Sequence, residues 1–186
     1  MNLLKIKVKF ILQILIVITY FSTLNAKSMD NFNKGNQISN YFLGTILLND
    51  NLYKDSYNYL KKLNDLEKTH NTYSEKYLFS LVNLGKITEA FHFSKKLEKE
   101  NLENFESNLI IGIYYLKNQR YDQAQNYFSK LYKFNSNFVI KNFISKSLID
   151  WSSFKNLNFS NAQQKIQEID SKFDNLKKIQ NVFLHC

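Results

Sequence analysis

The sequence predicts an all-α protein built from stacked pairs of short helices. The chain has 186 residues, no proline and only 4 glycines, a composition that suits helices and disfavours a β-sandwich with many tight turns. Hydrophobic residues make up 44% of the chain, which is enough to form a buried core. Three segments also align with one another at a constant shift along the chain. A fixed period of about 34 residues is typical of helix pairs that stack side by side.

The first element is an export segment, residues 1–26. Its basic start carries Lys5, Lys7 and Lys9. An apolar stretch follows over residues 10–24, and small or polar residues end the segment. This order is that of a secretory signal peptide. The apolar stretch is about 15 residues long, whereas a membrane-spanning helix needs about 20. We therefore expect cleavage and export, with an inner-membrane anchor at residues 10–24 as the alternative, followed by a linker over residues 27–36.

A repeat domain is expected over residues 37–186, because small residues recur at a constant spacing. We expect the small residue of each first helix to face the small residue of the second helix, so that the two backbones approach closely. Leu60 and Phe128 are then expected to point from the second helix towards the next unit. The recurring positions are Gly44, Leu78 and Gly112 in the first helices and Ser56, Ala90 and Ala124 in the second helices. The predicted units are about 37–70, 71–104, 105–138 and 139–172, with a partial unit at 173–186.

Local signals mark the helix starts and the turns. Segments starting at Thr72 and at Ser171 each have an acidic residue three positions later, the spacing of a capping box that opens a first helix. Gly85 and Asn118 stand where a short turn must connect the two helices of a unit.

The repeated pattern resembles the tetratricopeptide repeat (TPR) family. Leu78 in the small position and Ser94 in the aromatic position are departures of the second unit from that pattern. The resemblance covers about residues 37–186 and implies a right-handed α-solenoid of helix-turn-helix units, similar to the N-terminal part of an exported proteobacterial repeat protein. The unit that matches best carries Ile111, Gly112, Tyr115, Ala124 and Phe128.

The resemblance also implies a concave groove, lined by the first helices, that takes an extended peptide or a partner helix. The alternative is that four apolar residues of this set are buried against neighbouring helices, namely Phe79, Leu109, Ile113 and Phe143. Only Lys76 matches the cationic clamp with which some family members hold a C-terminal carboxylate, so that mode of binding is not expected. The groove residues implied here are Tyr41, Thr45, Leu48, Asn49, Glu75, Phe79, Val82, Asn83, Leu109, Ile113, Leu116, Lys117, Phe143, Ser147, Asp150 and Trp151.

Several classes of function are disfavoured. The formal charge of +9 is spread along the chain beside acidic residues, which indicates solvated helix faces rather than a nucleic-acid site. His70, His92 and His185 are isolated in sequence and do not have metal-ligand spacing. No glycine-rich phosphate loop and no nucleophile motif is present. The sequence therefore predicts neither an enzyme nor a metal or cofactor site.

We expect a non-enzymatic interaction scaffold of the bacterial envelope, in the periplasm, that binds a peptide or a partner protein. The alternative is a structural role, as the N-terminal segment of a longer solenoid or as a subunit of an envelope assembly. No nucleic acid and no small-molecule substrate is expected. Apolar residues at helical spacing near the C-terminus also predict self-association, assisted under oxidising conditions by Cys186. They are Leu176, Ile179, Val182 and Phe183.

Overall fold

A computed structural model of the chain is all-helical over the residues that it describes, and no strand occurs among them. Within those residues, no helix is long and apolar enough to cross a membrane. The predicted export segment, the alternative anchor at residues 10–24 and Cys186 lie outside the described residues. The chain divides into two compact units, Met1–Leu63 and Asn64–Cys186. The described residues are 34–63, 65–134, 139–154 and 158–185.

In the first unit the described residues form two helices, α1 over residues 34–49 and α2 over Tyr53–Leu60. Helix α1 therefore includes the last three residues of the segment expected to be a linker. Gly44 permits a close helix crossing, because a Cβ atom there would lie 2.7 Å from Cγ of Leu60. The Ser56 hydroxyl donates a hydrogen bond of 2.7 Å to the Gly44 carbonyl across the same crossing. Leu60 thus covers the glycine of its own unit, whereas the sequence predicts that it points towards the next unit.

The second compact unit, Asn64–Cys186, contains seven α-helices among the described residues. They are α3 (Asn71–Asn83), α4 (Ile87–Lys99), α5 (Phe105–Lys117), α6 (Tyr121–Lys130), α7 (Val139–Ser153), α8 (Phe159–Gln167) and α9 (Asp174–His185). Each helix from α3 to α8 contacts the next one in chain order, and α3 also contacts α5. Short 3₁₀ helices cover Leu66–Lys68, Leu131–Phe134 and Ser171–Phe173. Helices α3 and α5 begin at Asn71 and Phe105, which are one predicted repeat period apart.

The turn inside each of the first three helix pairs has the same backbone geometry. Asn51, Gly85 and Gln119 occupy equivalent positions in successive pairs and have φ angles of 61°, 69° and 59°. The residue after each of them donates its N–H to the carbonyl five positions earlier, at 2.8–2.9 Å. This hydrogen bond satisfies a carbonyl group that the helix end would otherwise leave without a partner. Glycine adopts the left-handed conformation without steric cost, whereas Gln119 carries a Cβ atom there.

Two of the predicted helix starts are wrong in detail. Helix α3 begins at Asn71, its N-cap is His70, and no side chain caps it. The Thr72 hydroxyl instead lies 2.9 Å from Nδ1 of His70. Ser171 belongs to a 3₁₀ helix that is capped by the Asp170 side chain, which accepts a hydrogen bond from the N–H of residue 172.

The capping box occurs instead at α5. The Asn104 side chain accepts a hydrogen bond of 2.8 Å from the N–H of Ser107, and the Ser107 hydroxyl accepts one of 2.9 Å from the N–H of Asn104. Asn158 caps α8 in a similar way through the N–H of Asn161. Neither start has the Ser/Thr-x-x-Glu/Gln motif. At α5 both backbone groups of a capping box are nevertheless satisfied, and at α8 the N–H of Asn161 is satisfied. Because the motif is absent, neither capped start is predicted from the sequence.

The core of the compact unit Asn64–Cys186 is centred on the contact between α5 and α6. A Cβ atom on Gly112 would lie 2.6 Å from Cδ1 of Phe128, so only glycine fits beneath the ring. Phe128 is buried together with Phe105, Ala124 and Leu131, and apolar residues of α7 pack against this cluster. As with Leu60, the Phe128 ring covers the glycine of its own first helix, which the sequence did not predict.

Helices α3 and α4 carry the same two positions with the side-chain sizes exchanged. Leu78 stands where α5 has Gly112, and Ser94 stands where α6 has Phe128. Leu78 is 1% exposed and Ser94 is fully buried. The large side chain is thus on the first helix and the small one on the second. These register positions thus hold one large and one small residue in both helix pairs, so the two departures from the repeat pattern are matched in volume.

A polar cluster connects α4 to α6. Glu98 accepts hydrogen bonds from Nζ of Lys130 at 2.8 Å and from Oη of Tyr127 at 2.9 Å, and it also pairs with Lys95. Burial alone would raise the pKa of Glu98, but the hydrogen bonds from Lys130, Lys95 and Tyr127 outweigh it and lower the pKa to about 2. Glu98 is therefore ionised at neutral pH and helps to hold the two helices together.

Candidate functional site

The strongest candidate surface is formed by exposed apolar side chains on α3 and α5, two helices that contact each other. Phe79 is 53% exposed, Val82 41% and Ile113 42%. They are held on the outside because the helical period places the neighbouring positions Leu78, Leu81 and Ile111 in the core. We call Phe79, Val82 and Ile113 the α3–α5 apolar surface. Leu109 and Leu116 are half-buried instead, and both pack against the cluster around Phe128.

Polar residues lie at both ends of this surface. Asn83 is exposed at the C-terminal end of α3, where its side chain donates a hydrogen bond of 2.8 Å to the Phe79 carbonyl. Lys117 is exposed at the C-terminal end of α5. Towards the N-terminal ends, Glu106 accepts a hydrogen bond of 3.0 Å from Nζ of Lys141. The pKa of Glu75 is raised. Partial burial of its carboxylate is the largest cause, and the nearby negative charge of Glu106 is the next.

The residues predicted on α7 are covered rather than open. Phe143 is half-buried and stacks on Phe173, with ring centroids 4.4 Å apart. Trp151 donates its indole N–H to Oε1 of Gln180 on α9 at 3.1 Å, and Nε2 of Gln180 donates to the Ser147 hydroxyl at 3.0 Å. Ser147 is 8% exposed and Asp150 6%. These side chains therefore do not continue the α3–α5 apolar surface, because Phe143, Ser147 and Trp151 contact residues that follow α8.

In the compact unit Met1–Leu63, the predicted groove residues are only partly exposed to solvent. Tyr41 and Thr45 are half-buried, Leu48 is buried and Asn49 is exposed. A neighbouring face of α1 carries exposed apolar residues that the prediction did not include. They are Ile38, Phe42, Leu43 and Ile46, with exposed fractions of 40–60%.

Sequence reasoning missed a cavity of about 280 Å³ beside α7. Its lining includes apolar residues together with Lys146 and Lys172, and Nζ of Lys146 lies 3.5 Å from Oε2 of Glu168. The cavity is lined by Val139, Asn142, Phe143, Lys146, Ile169, Asp170, Lys172 and Phe173. No sequence motif could have revealed it, because its walls come from α7, from the 3₁₀ helix before α9 and from the segment between α8 and α9.

Asp150 is the most buried carboxylate near α7. Its Oδ1 atom lies 3.3 Å from Nζ of Lys165, while its Oδ2 atom is buried and has no hydrogen-bond partner. Burial raises the pKa of Asp150, although the hydrogen bond from Lys165 opposes this effect. The pair lies between α7 and α8, and it connects these two helices.

The three histidines do not come together. The His70 ring contacts Thr72, the His92 ring lies 5.6 Å from the Phe91 ring, and the His185 ring lies 4.8 Å from the Phe159 ring, measured between centroids. Among the residues that the structure describes, no group of three or more His, Cys, Asp or Glu side chains could hold a metal ion.

Comparison with models of known protein families found no match to this chain, and comparison with curated proteins found none.

Proposed function

We propose that this protein is a non-enzymatic scaffold that binds a peptide or a partner protein through the α3–α5 apolar surface. The observation that carries this proposal is the exposure of Phe79, Val82 and Ile113 on two adjacent helices whose other faces are buried. Exposed apolar residues grouped on a rigid element are typical of protein interaction sites, and aromatic residues often supply much of the binding energy there. Asn83 and Lys117 would form part of the polar rim around this apolar centre.

We further propose that the helices form a right-handed solenoid of TPR-like units. Three observations support it: the starts of α3 and α5 one repeat period apart, left-handed turn residues at the same spacing, and contacts between α3 and α5. In such an array the first helices lie side by side, so that neighbouring units contribute to one binding face.

We also propose export to the periplasm, on the composition of residues 1–26 alone. Retention in the inner membrane by residues 10–24 is the alternative. In both cases the helical domain would lie outside the cytoplasm, so a partner would be a protein of the bacterial envelope.

The test is capture of partners from envelope extract of the source bacterium by protein expressed from the full-length sequence. The combined variant Phe79→Ser with Ile113→Ser is expected to lose the captured protein while its far-ultraviolet circular dichroism stays unchanged. Tyr132→Ser is the matched control, since Tyr132 is 51% exposed on the 3₁₀ helix after α6. Equal capture by the double variant and the parent would refute the proposal. A collapse of the helical signal would show instead that these side chains belong to the core.

A second candidate function is a subunit of an envelope assembly or a segment of a longer solenoid. It is favoured by α9, on which Leu176, Ile179, Val182 and Phe183 are 38–65% exposed. Static light scattering of the protein with Cys186→Ser in reductant tests self-association through this helix. A mass that falls to the monomer value in the variant Val182→Ser with Phe183→Ser would support this candidate. A monomer at all concentrations in the parent would contradict self-association.

A further inference from the structure

One wall of the cavity beside α7 is a row of four residues on a single face of that helix. Asn142, Phe143 and Lys146 follow Val139 by three, four and seven positions, and residues at this spacing share a face. The row extends about 10 Å along the helix axis. Its beginning and middle are apolar at Val139 and Phe143, and its end is cationic at Lys146. An occupant of the cavity therefore meets apolar groups at one end and a positive charge at the other.

The other wall, from the segment after α8, has the same combination of groups. Ile169 is 4% exposed, and the Phe173 ring stacks on the Phe143 ring with centroids 4.4 Å apart. Lys172 also lines the cavity and is exposed. Aromatic rings prefer other rings in stacked or edge contacts. The two walls together suit an aromatic group and bring a lysine from each side.

The lining has a surplus of positive charge. Lys146 and Lys172 contribute two cations, and Asp170 contributes one carboxylate. That carboxylate already caps the 3₁₀ helix, because its Oδ1 atom accepts a hydrogen bond of 2.9 Å from the N–H of Lys172. The Glu168 side chain near Lys146 is 54% exposed, and an exposed ion pair is weak. A ligand carboxylate can therefore compete with Glu168 for Lys146, and the single surplus charge matches a monoanion.

The volume limits the occupant to a small molecule. An apolar cavity of about 150 Å³ can hold one benzene molecule, and sites for drug-sized ligands usually begin at about 300 Å³. With a volume of about 280 Å³, this cavity has space for one aromatic ring and a short chain that carries a terminal group.

We propose that this cavity binds a small aromatic carboxylic acid. The ring of the acid lies against Phe143 and Phe173, and its carboxylate accepts hydrogen bonds from Lys146 and Lys172. The site binds the acid without a reaction, so the acid is a ligand and not a substrate. This site is separate from the α3–α5 apolar surface and does not rest on the proposed scaffold function.

The probe for a test is 3-phenylpropionate, in which a short chain joins a ring to a carboxylate. Its uncharged counterpart, 3-phenylpropan-1-ol, has the same ring and chain. Amide chemical shifts of ¹⁵N-labelled protein, expressed from the full-length sequence, report the affinity and the position of each probe. We expect the acid to shift amides of residues 139–146 and 169–173. It should bind roughly tenfold more tightly than the alcohol, because hydrogen bonds to charged groups are the stronger ones.

Lysine variants test which groups hold the carboxylate. Lys146→Gln and Lys172→Gln should each weaken binding of the acid by roughly fivefold to tenfold and leave binding of the alcohol unchanged. Lys178→Gln is the matched control, since Lys178 is 72% exposed on α9 and is not part of the cavity lining. Circular dichroism checks that each variant is folded.

Three outcomes would overturn the proposal, and all of them are read from the unaltered protein. Equal affinities for the acid and the alcohol would show that the cations play no part in binding. Shifts confined to residues outside 139–146 and 169–173 would place the probe on another surface. The absence of any shift at millimolar concentrations of the acid would show that the cavity does not bind this class of ligand.

Discussion

Exchanging the residues at the α5–α6 crossing tests whether the protein balances volume between its two helices. The change is Gly112→Leu with Phe128→Ser, which gives this crossing the same pair that Leu78 and Ser94 form between α3 and α4. Each single change should be destabilising, and the combined change should cost less than the sum of the two single changes. We expect this because the Phe128 ring lies directly against Gly112.

The magnitudes follow from the burial and the distance at this crossing. Phe128 is fully buried, so its truncation should cost about 3–5 kcal/mol of unfolding free energy through the cavity that it leaves. A side chain at position 112 starts with its Cβ 2.6 Å from Cδ1 of the ring, so Gly112→Leu should cost about 1–3 kcal/mol or somewhat more. In the double variant the leucine fills the space left by the ring. We expect a favourable coupling of about 2–3 kcal/mol between the two changes.

Urea unfolding monitored by circular dichroism measures all four free energies. The coupling is the double-variant cost minus the sum of the single costs, provided that the dependence on urea is equal in all four proteins. A milder pair, Gly112→Ala with Phe128→Leu, serves if a single variant of the first pair fails to fold. Additive costs in both pairs would refute the idea that the two positions share one volume.

Three further predictions concern the turns, the polar cluster and the export segment. Gln119→Gly should raise the unfolding free energy by about 0.5–1 kcal/mol by relieving a left-handed backbone, whereas Gly85→Ala at the equivalent turn should lower it by about 1 kcal/mol. Thermal melts compare both with the parent. Because the pKa of Glu98 is lowered in the folded state from 4.5 to about 2, its contribution to stability is present above pH 4.5 and is lost as the pH falls towards 2. Urea titrations over this range should show a smaller loss for Glu98→Gln than for the parent. Mass spectrometry after expression in a Gram-negative host should find a mature chain that begins at Lys27, and an intact form in the membrane would favour the anchor.

The helical class and the spacing of helix starts could be predicted from the sequence. The all-α prediction is confirmed over the described residues, in which α3 begins at Asn71 and α5 at Phe105. Gly85 lies at a turn as predicted, because a left-handed residue after a helix is a local requirement that glycine meets. Asn118 lies one residue away from the left-handed position, which Gln119 occupies.

The candidate site could be predicted only in part. Phe79 and Ile113 are exposed, whereas Phe143, Ser147 and Trp151 are covered by residues after α8. Assigning groove residues by their position in the repeat assumes that every repeat unit has identical neighbours. It has no information on Gln180, whose side chain reaches two of these residues from α9. The cavity beside Phe143 was missed for the same reason.

By itself, the sequence determined the properties that depend on local spacing: helices rather than strands, a constant repeat period, and small residues at helix crossings. Only the tertiary structure decided which apolar side chains remain in solvent. It also decided that Phe128 rests on Gly112, that Leu78 and Ser94 compensate each other in volume, and that the faces of α7 and α9 differ in cover. The physical reason is that a period specifies which face of a helix a residue occupies. Burial depends on the size and position of side chains that come from other helices.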